Sequence, residues 1–218
     1  MRGPFITFEG IDGCGKSTQV RLLSAWIHEA LGREPLLVRE PGGTGLGERI
    51  RELLLDPATG EISSSAEALL YAASRAELVS EVIEPALAGG TAVIADRFLG
   101  SSLVYQGVAR GLGVDRVRAA NELAIGSCNP DITILLDIPV EVAASRRAAT
   151  GEAPDRIELA GDAFMERVAD AYRSIAATSP QWIVVAADAD PDVVHARIRE
   201  GLDAAGFAVS AAIEGGVR

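Results

Sequence analysis

The sequence predicts an α/β fold in which a five-stranded parallel sheet is flanked by helices. Short apolar runs of strand length alternate along the chain with longer segments of helical periodicity. A glycine-rich turn connects the first strand to the first helix, as in many phosphate-binding folds of this class. Charged residues follow several apolar runs directly, at the positions where parallel strands end and ligands bind. These observations indicate helices on both faces of the sheet, joined by right-handed crossovers.

The individual elements are predicted, in chain order, from apolar runs and apolar spacing. Buried parallel strands are predicted at 3–9, 35–38, 91–95, 132–136 and 182–186. Helices are predicted at 16–31, 46–55, 66–88, 101–108, 114–125, 140–149, 159–178 and 191–202. Gly32 ends the first helix, residues 62–65 offer an N-cap to the third, and Pro85 kinks or ends that third helix.

The length of 218 residues suits one compact domain, which we predict at 1–206. The charged segment at about 146–156 is punctuated by glycine and proline and is predicted to form a lid. Residues 207–218 carry no strong pattern and are predicted to be a C-terminal tail that is free to be disordered.

Composition narrows the class of protein. A formal net charge of −11 argues against a non-specific binder of nucleic acid or of a membrane surface, which needs a basic footprint. Cys14 and Cys128 make neither a disulfide framework nor a metal site. No apolar run approaches ~18 residues and the chain enters its first strand directly, so we predict neither a membrane span nor a signal peptide. We expect a cytoplasmic protein without nucleic-acid or membrane partners.

The glycine-rich turn has the spacing G-x-x-x-x-G-K-[ST] of a phosphate-binding loop. Glycines let its backbone turn tightly, so that successive N–H groups and the next helix N-terminus form an anion site. Lys16 is expected to reach the β- and γ-phosphates of ATP, and the Ser17 hydroxyl to ligate Mg²⁺. The predicted cofactor-binding residues are Gly10, Ile11, Asp12, Gly13, Cys14, Gly15, Lys16, Ser17 and Thr18. The alternative, a glycine-rich turn without a ligand, is disfavoured by the flanking strand and helix.

Asp96 and Arg97 follow the third predicted strand. Asp96 has the position of a Walker B aspartate that holds Mg²⁺, although a carboxylate capping the next helix gives the same pattern. Arginines matter as much, because phosphoryl transfer depends on positioning and on stabilising the charge of the transferred group. Besides Arg97, the candidates near strand ends or in the lid are Arg39, Arg51, Arg75, Arg110, Arg146, Arg147 and Arg156. These residues alone indicate an ATP-dependent phosphotransferase.

Further segments resemble bacterial thymidylate kinase and occur in that family's order. They are 39–44 (REPGGT), 71–75 (YAASR), 96–98 (DRF), 101–102 (SS), 105–107 (YQG) and 155–158 (DRIE). The similarity runs from Phe5 to about Leu202. The resemblance implies the P-loop nucleoside-monophosphate-kinase fold and a homodimer. It also implies transfer of the ATP γ-phosphoryl group to dTMP, with Mg²⁺, to give dTDP for dTTP synthesis.

The resemblance assigns the base of dTMP to three residues. Tyr71 stands where the family usually has phenylalanine and would stack on thymine. Arg75 would bind thymine O4, and Gln106 the pyrimidine edge. Without the family, a tyrosine at the position of Tyr71 is more often a core aromatic residue than a base platform, and Gln106 and Ser102 fit surface residues on a short helix.

The phosphate and sugar of dTMP are assigned in the same way. Arg51 and Arg97 would grip the phosphate, while Asp12 and Tyr105 would lie beside the deoxyribose and help to exclude a 2′-hydroxyl. Glu40 either contacts substrate or fixes the turn before Pro41. The full predicted substrate-binding set is Asp12, Glu40, Arg51, Tyr71, Arg75, Arg97, Ser101, Ser102, Tyr105 and Gln106.

Two features depart from the family pattern. The variable loop positions 11–14 contain no arginine, so the charge over the transferring group is expected from the lid. Arg156 and Arg146 are the predicted sources, with Arg147 in reserve. The predicted catalytic residues are Lys16, Arg97, Arg146 and Arg156. Cys14 stands where the family commonly has alanine or serine, and we expect the helix N-terminus to lower its pKa and make it sensitive to alkylation.

Other functions remain to be compared with this one. A kinase for another pyrimidine monophosphate, such as dUMP or UMP, would differ in the base-facing residues. A GTP-dependent switch protein would need an N-K-x-D signature, and the sequence has none. A nucleotide-binding module that has lost catalysis is disfavoured by the intact Lys16, Ser17, Asp96 and Arg97.

Overall fold

The computed structural model describes residues 2–151 and 153–207 and contains a five-stranded sheet. Its strands are β1 (Phe5–Glu9), β2 (Leu36–Arg39), β3 (Val93–Asp96), β4 (Ile132–Asp137) and β5 (Trp182–Ala186). They lie in the order β2-β3-β1-β4-β5, and each of these neighbouring pairs is parallel. Every strand ends within two residues of its predicted limits. The predicted α/β fold is therefore confirmed.

Helices cover the sheet. In chain order they are α1 (Lys16–Leu31), α2 (Gly45–Leu55), α3 (Ser64–Leu78), α4 (Glu84–Ala88), α5 (Leu99–Ser102), α6 (Val114–Ile125), α7 (Val140–Ala148), α8 (Asp162–Ala177) and α9 (Pro191–Ala204). Gly32 ends α1 in the left-handed conformation, with φ of 61°, as predicted. Within the ranges described, no helix combines the length and the apolar character needed to cross a membrane.

The predicted helix 66–88 is longer than the regular α-helix that forms there. It consists of α3, a π-helical segment at Val79–Ile83, and α4. Proline has no N–H and crowds the carbonyl four residues before it, so a widened turn just before Pro85 relieves that conflict. At the other end, Ser63 Oγ accepts a hydrogen bond from Ala66 N at 3.3 Å and caps α3.

The predicted helix 101–108 also contains a π-helical segment. Here the short α5 continues into Leu103–Ala109, in which the Arg110 N–H donates to Tyr105 O at 2.8 Å. Such segments are often found at functional sites. This one carries Tyr105 and Gln106, two of the predicted substrate residues.

The C-terminal region differs from its prediction at one helix. The predicted helix 159–178 begins at Asp162, because Gly161 adopts a φ of 86° and interrupts the chain after a short 3₁₀ turn. Of the predicted tail, Phe207 packs against the core, and its N–H donates to Leu202 O at 2.9 Å. Residues 208–218 lie outside the described residues.

Apolar side chains fill both sides of the sheet. Ile6 and Phe8 of β1 pack in one cluster with Leu23 of α1, and all three are fully buried. Phe5 lies on the other face of β1 and packs in a second cluster with Leu78 of α3. Because successive side chains of a strand point to opposite faces, the two clusters hold helices against both faces.

The parallel register brings the carboxyl ends of the strands to one edge. Asp96 at the end of β3 is paired with Phe8 of β1 and with Arg39 at the end of β2. Glu9 at the end of β1 is paired with Leu135 of β4. Polar residues from three strands therefore meet beside the glycine-rich loop.

Candidate active site

Two adjoining cavities lie beyond the carboxyl ends of the strands. We call the first the phosphate cavity, because its lining includes the loop residues Lys16 and Ser17. We call the second the aromatic cavity, because its lining includes Tyr71 and Tyr105. Six residues line both: Asp12, Glu40, Arg51, Leu55, Arg97 and Asp155. A ligand in one cavity would therefore lie next to a ligand in the other.

The glycine-rich loop forms one wall of the phosphate cavity. Gly10 has a φ of 140°, and a Cβ on it would lie 2.8 Å from Leu136 O, so no other residue fits there. The buried Lys16 ammonium donates to the carbonyl oxygens of Gly10 and Ile11, both at 3.0 Å. The loop thus holds a positive charge beside the N-terminus of α1, as an anion site requires.

Ser17 and Asp96, the two predicted metal residues, are in direct contact. The Ser17 hydroxyl donates to Asp96 Oδ2 at 2.8 Å, and both side chains line the phosphate cavity. A hydroxyl and a carboxylate are the hard oxygen ligands that Mg²⁺ prefers, and Mg²⁺ commonly takes only one or two ligands from the protein. Among residues 2–151 and 153–207, no group of three or more His, Cys, Asp and Glu side chains could hold a metal ion.

Arg97 joins the two cavities from a strained position. Its φ of 73° is left-handed, which is uncommon for a residue other than glycine and is often found at functional sites. The guanidinium donates to Asp12 Oδ1 at 2.6 Å, to Gly10 O at 3.0 Å and to Ser101 Oγ at 3.1 Å. It lies 5.4 Å from the centre of the Tyr105 ring. These contacts fix the guanidinium at the boundary between the cavities.

Glu9 holds the turn that carries Arg97. Its fully buried carboxyl accepts hydrogen bonds from the N–H groups of Phe98 and Ser101, both at 3.0 Å, and from Tyr172 OH at 2.9 Å. Burial raises the pKa of Glu9, and the rise is opposed by a hydrogen bond from Ser101 Oγ at 2.6 Å, by the charge of Arg97, and by the hydrogen bonds from Phe98 N and Tyr172 OH. The strained Arg97 backbone is therefore supported by a buried hydrogen-bond network.

Asp12 lies between two positive charges. Its Oδ1 is 2.6 Å from the Arg97 guanidinium and 3.7 Å from the Lys16 ammonium. Burial alone would raise the pKa of Asp12, but the charges of Arg97 and Lys16 outweigh it and hold the pKa below its usual value. Asp12 therefore stays ionised and links the loop lysine to Arg97.

The aromatic cavity combines flat rings with unpaired polar atoms. Tyr71 and Tyr105 contribute the rings, and Gln106 an amide. Tyr105 OH and Glu40 Oε1 are buried without a hydrogen-bond partner in the described structure. Burial raises the pKa of Glu40 to about 7, against the opposing charge of Arg75, so this carboxyl can accept or donate a hydrogen bond near neutral pH. Unpaired polar atoms beside flat rings suit a planar, hydrogen-bonding ligand.

The arginines of the predicted lid have different partners. Arg146 donates to Ala187 O at 2.9 Å and lines both the phosphate cavity and a third, side cavity next to Cys14. Arg147 lines the phosphate cavity and is paired with Glu158. Arg156 instead donates to Leu54 O at 2.7 Å.

Comparison with known proteins gives the family. The model of the thymidylate kinase family matches residues 8–198. The chain belongs to the thymidylate kinase family. It is 46% identical over 208 residues to a thymidylate kinase of Desulforudis audaxviator, with 91% of each chain covered. It is 50% identical over 181 residues to that of Symbiobacterium thermophilum, with 83% of each covered.

A solved structure supports the same assignment. The crystal structure of thymidylate kinase from Ehrlichia chaffeensis is similar with a TM-score of 0.76 and 33% identity, covering 93% of this chain and 100% of that one. The P-loop nucleoside-monophosphate-kinase fold and the resemblance inferred from short motifs are both confirmed.

The thymidylate kinase pattern places Arg75 against the base, but here Arg75 lies behind the cavity wall. Its side chain is 1% exposed, and neither it nor its partner Ser102 is among the cavity-lining residues. The guanidinium donates to Glu40 Oε2 and to Asn121 Oδ1, both at 2.5 Å. In this structure neither Arg75 nor Ser102 can contact a ligand in the aromatic cavity directly. Glu40 lines that cavity and binds Arg75 from the cavity side.

Arg156 contacts other groups than its predicted role requires. We expected Arg156 to supply charge over the transferring phosphoryl group, but it is not among the residues that line the phosphate cavity. Its Nη2 donates to Glu67 Oε2 at 2.6 Å. A buried carboxylate, which the sequence pattern does not single out, thus binds this guanidinium, whereas Arg146 and Arg147 line the phosphate cavity.

Sequence reasoning missed several residues that shape the site. Asp155 lines both cavities, and Glu9 and Tyr172 support the Arg97 turn. The sequence could have indicated a site role for Glu9, since it is a charged residue at the end of a buried strand. No sequence pattern indicated such a role for Tyr172 or Glu67, because both occur at ordinary positions in helices.

The predicted lowering of the Cys14 pKa is wrong. The side chain is 2% exposed, and burial raises the pKa of its thiol, despite the opposing charges of Lys16 and Arg97. Cys128 is also buried, and burial raises its pKa to about 11. Both groups are therefore neutral thiols at physiological pH and poor nucleophiles.

We expect iodoacetamide at neutral pH to leave the folded protein without adducts, because it reacts with thiolates. Intact-mass spectrometry checks this, and the same reagent after denaturation should add one group to Cys14 and one to Cys128. Rapid modification of Cys14 in the folded protein, at a rate that ATP reduces, would restore the original prediction.

Proposed function

We propose that this chain transfers the γ-phosphoryl group of ATP to dTMP, producing ADP and dTDP for dTTP synthesis. The observation that carries the proposal is the sharing of Arg97 and Asp12 by the phosphate cavity and the aromatic cavity. An acceptor phosphate at that boundary would lie next to a triphosphate bound at the loop. Such proximity supplies much of the rate enhancement in phosphoryl transfer.

On the donor side, the loop would bind the ATP phosphates. Lys16 and the N–H groups at the start of α1 would neutralise the β- and γ-phosphates. Ser17 and Asp96 would hold Mg²⁺, which when bound offsets phosphate charge. Arg146, next to the side cavity, would contact the adenosine end of ATP.

On the acceptor side, Arg97 and Arg51 would bind the dTMP phosphate, since both line the two cavities. Tyr71 would stack on thymine, and Asp12 and Tyr105 would lie beside the deoxyribose. A phosphate monoester is already largely deprotonated near neutral pH, so the reaction needs no general base.

We assign the charge over the transferring group to Arg147. It lines the phosphate cavity, and its partner Glu158 lines the same cavity, so the pairing holds the guanidinium there. A positive charge at the transferring phosphoryl group stabilises the charge distribution of the transition state.

This assignment predicts different kinetics for two lid variants. Arg147→Ala should lower kcat by roughly 10²-fold and change the dTMP KM little, because the lost charge acts mainly in the transition state. Arg156→Ala should mainly raise the dTMP KM, because Arg156 binds Glu67, and Glu67 in turn binds Gln106 of the aromatic cavity wall. Initial rates at varied dTMP and saturating ATP measure both effects. The reverse pattern would return the catalytic role to Arg156.

An acceptor panel tests the proposed function. ADP release would be followed by a coupled assay with dTMP, dUMP, UMP, CMP and GMP at equal concentrations. We expect dTMP to give the highest kcat/KM. A clear preference for dUMP or UMP would make the protein a different pyrimidine monophosphate kinase, and no ADP release with any acceptor would make it a non-enzymatic nucleotide-binding protein.

We also propose a homodimer in the cytoplasm, with residues 1–206 as one kinase domain and 146–156 as its lid. The dimer is supported by exposed apolar side chains on neighbouring helices, Leu69 of α3 and Leu123 of α6. Light scattering during gel filtration would measure the mass, and a monomer at micromolar concentration would contradict the dimer.

A further inference from the structure

A buried carboxylate, Glu67 of α3, lies behind the aromatic cavity. It is 1% exposed, and neither the sequence pattern nor the proposed function gives it a role. Its Oε1 accepts a hydrogen bond from Gln106 Nε2 at 3.0 Å, and its Oε2 accepts one from Arg156 Nη2 at 2.6 Å. Arg110 Nε donates to Oε1 at 3.3 Å. A single carboxylate thus contacts one residue of the cavity wall and two arginines.

The contact between Glu67 and Gln106 determines which way the amide faces. A carboxylate can only accept hydrogen bonds, so the Gln106 group beside it must be the NH₂. Arg110 and Arg156 also donate to Glu67, so both of its carboxyl oxygens act as hydrogen-bond acceptors. Reversing the amide would place two oxygens in contact inside a buried site, which is strongly unfavourable.

The other end of the amide is then fixed as well. Gln106 lines the aromatic cavity, and its Oε1 has no hydrogen-bond partner recorded among the described residues. With Nε2 held by Glu67, the atom that Gln106 offers to a ligand is the carbonyl oxygen. That oxygen can pair with an N–H group of a ligand and repels a ligand atom that carries a lone pair.

We propose that Glu67 is a specificity-determining positioning residue that orients Gln106 to accept a hydrogen bond from the pyrimidine ring. This inference rests on the proposed function, because it places the base of the acceptor in the aromatic cavity. Thymine and uracil carry N3–H, whereas cytosine presents a lone pair at N3 and would face the Gln106 oxygen. Glu67 would therefore select 4-oxo pyrimidine monophosphates against 4-amino pyrimidine monophosphates, without touching either.

The first test compares dTMP with dCMP in Glu67→Gln. A glutamine at position 67 can donate as well as accept, so the Gln106 amide is free to turn. We expect the ratio of kcat/KM for dTMP over dCMP to fall by about tenfold, the effect of one neutral hydrogen bond. Glu77→Gln, the same change elsewhere on α3, should keep the wild-type ratio. An unchanged ratio in Glu67→Gln would overturn the inference.

A double-mutant cycle separates positioning from a general structural role. Gln106→Ala should lower the dTMP/dCMP ratio by itself. If Glu67 acts through Gln106, then adding Glu67→Gln to Gln106→Ala should change that ratio by less than about twofold. Effects on the ratio that multiply in the double variant would show that Glu67 acts by another route.

Two further measurements keep the inference testable if Glu67→Gln folds poorly. Glu67→Asp retains the carboxylate and should keep the preference for dTMP. In the ¹⁵N-labelled wild type, the Gln106 side-chain NH₂ should exchange with solvent more slowly than that of an exposed glutamine. Fast exchange, or loss of preference in Glu67→Asp, would overturn the inference. Failure of the proposed function is distinguishable, because the wild type would then not prefer dTMP in the acceptor panel, whereas failure of this inference leaves that preference intact.

Discussion

Lys16→Ala should lower kcat for ATP-dependent phosphorylation of dTMP by roughly 10²–10³-fold, the loss found when one preorganised charge donor is removed from a transition state. The Lys16 ammonium lies against the loop carbonyls, where the β- and γ-phosphates of ATP would replace them as partners. Steady-state kinetics at saturating ATP measures the loss. Turnover at the wild-type rate would remove Lys16 from the mechanism.

The sequence offers a control that needs no substitution. Lys16 is its single lysine, so an amine-directed reagent can modify only Lys16 and the chain terminus. We expect ATP to slow the labelling of Lys16 and leave that of the terminus unchanged. Thermal unfolding of Lys16→Ala should stay close to that of the wild type, which separates loss of catalysis from loss of the fold.

Arg97→Lys should lower kcat/KM for dTMP by roughly 10²-fold or more, although it keeps the charge. The guanidinium binds Asp12, Gly10 and Ser101 in three directions, and an ammonium on a flexible stem cannot hold this geometry. We expect both a higher dTMP KM and a lower kcat, because the acceptor phosphate would be held less well and less precisely. Kinetics at varied dTMP would measure the two effects.

The backbone at position 97 gives a matched control. Arg97→Gly relieves the left-handed φ of 73° while removing the guanidinium. It should therefore lose as much activity as Arg97→Ala but unfold at a higher temperature than that variant. If Arg97→Lys had the kinetics of the wild type, a positive charge at position 97 would be enough for activity, and the directed hydrogen bonds of the guanidinium would not be needed.

Most of the fold followed from local patterns, because each strand is a short apolar run and each helix has its own period. The loop from Gly10 to Ser17 was equally local, since its chemistry lies within eight consecutive residues. Arg97 could be singled out because it directly follows a buried strand. The π-helical segments could not be predicted, since a widened turn changes hydrogen bonding without changing the apolar pattern.

The sequence did not indicate side-chain contacts between residues that are distant in the chain. Arg75 is bound by Glu40 and Arg156 by Glu67, and nothing in the sequence around either arginine indicates these pairs. The position of Cys14 at a helix N-terminus predicted a lowered pKa, whereas its burial raises the pKa. Contacts between distant segments and burial are properties of the folded chain.

Direct phosphoryl transfer between two neighbouring sites can be followed with an isotope. ATP labelled in its γ-phosphoryl group is incubated with the protein, Mg²⁺ and dTMP, and the products are separated. We expect the label to appear in dTDP, in equal amount to the ADP formed, and little ADP to form without dTMP. Label recovered as inorganic phosphate, at a rate independent of dTMP, would contradict direct transfer.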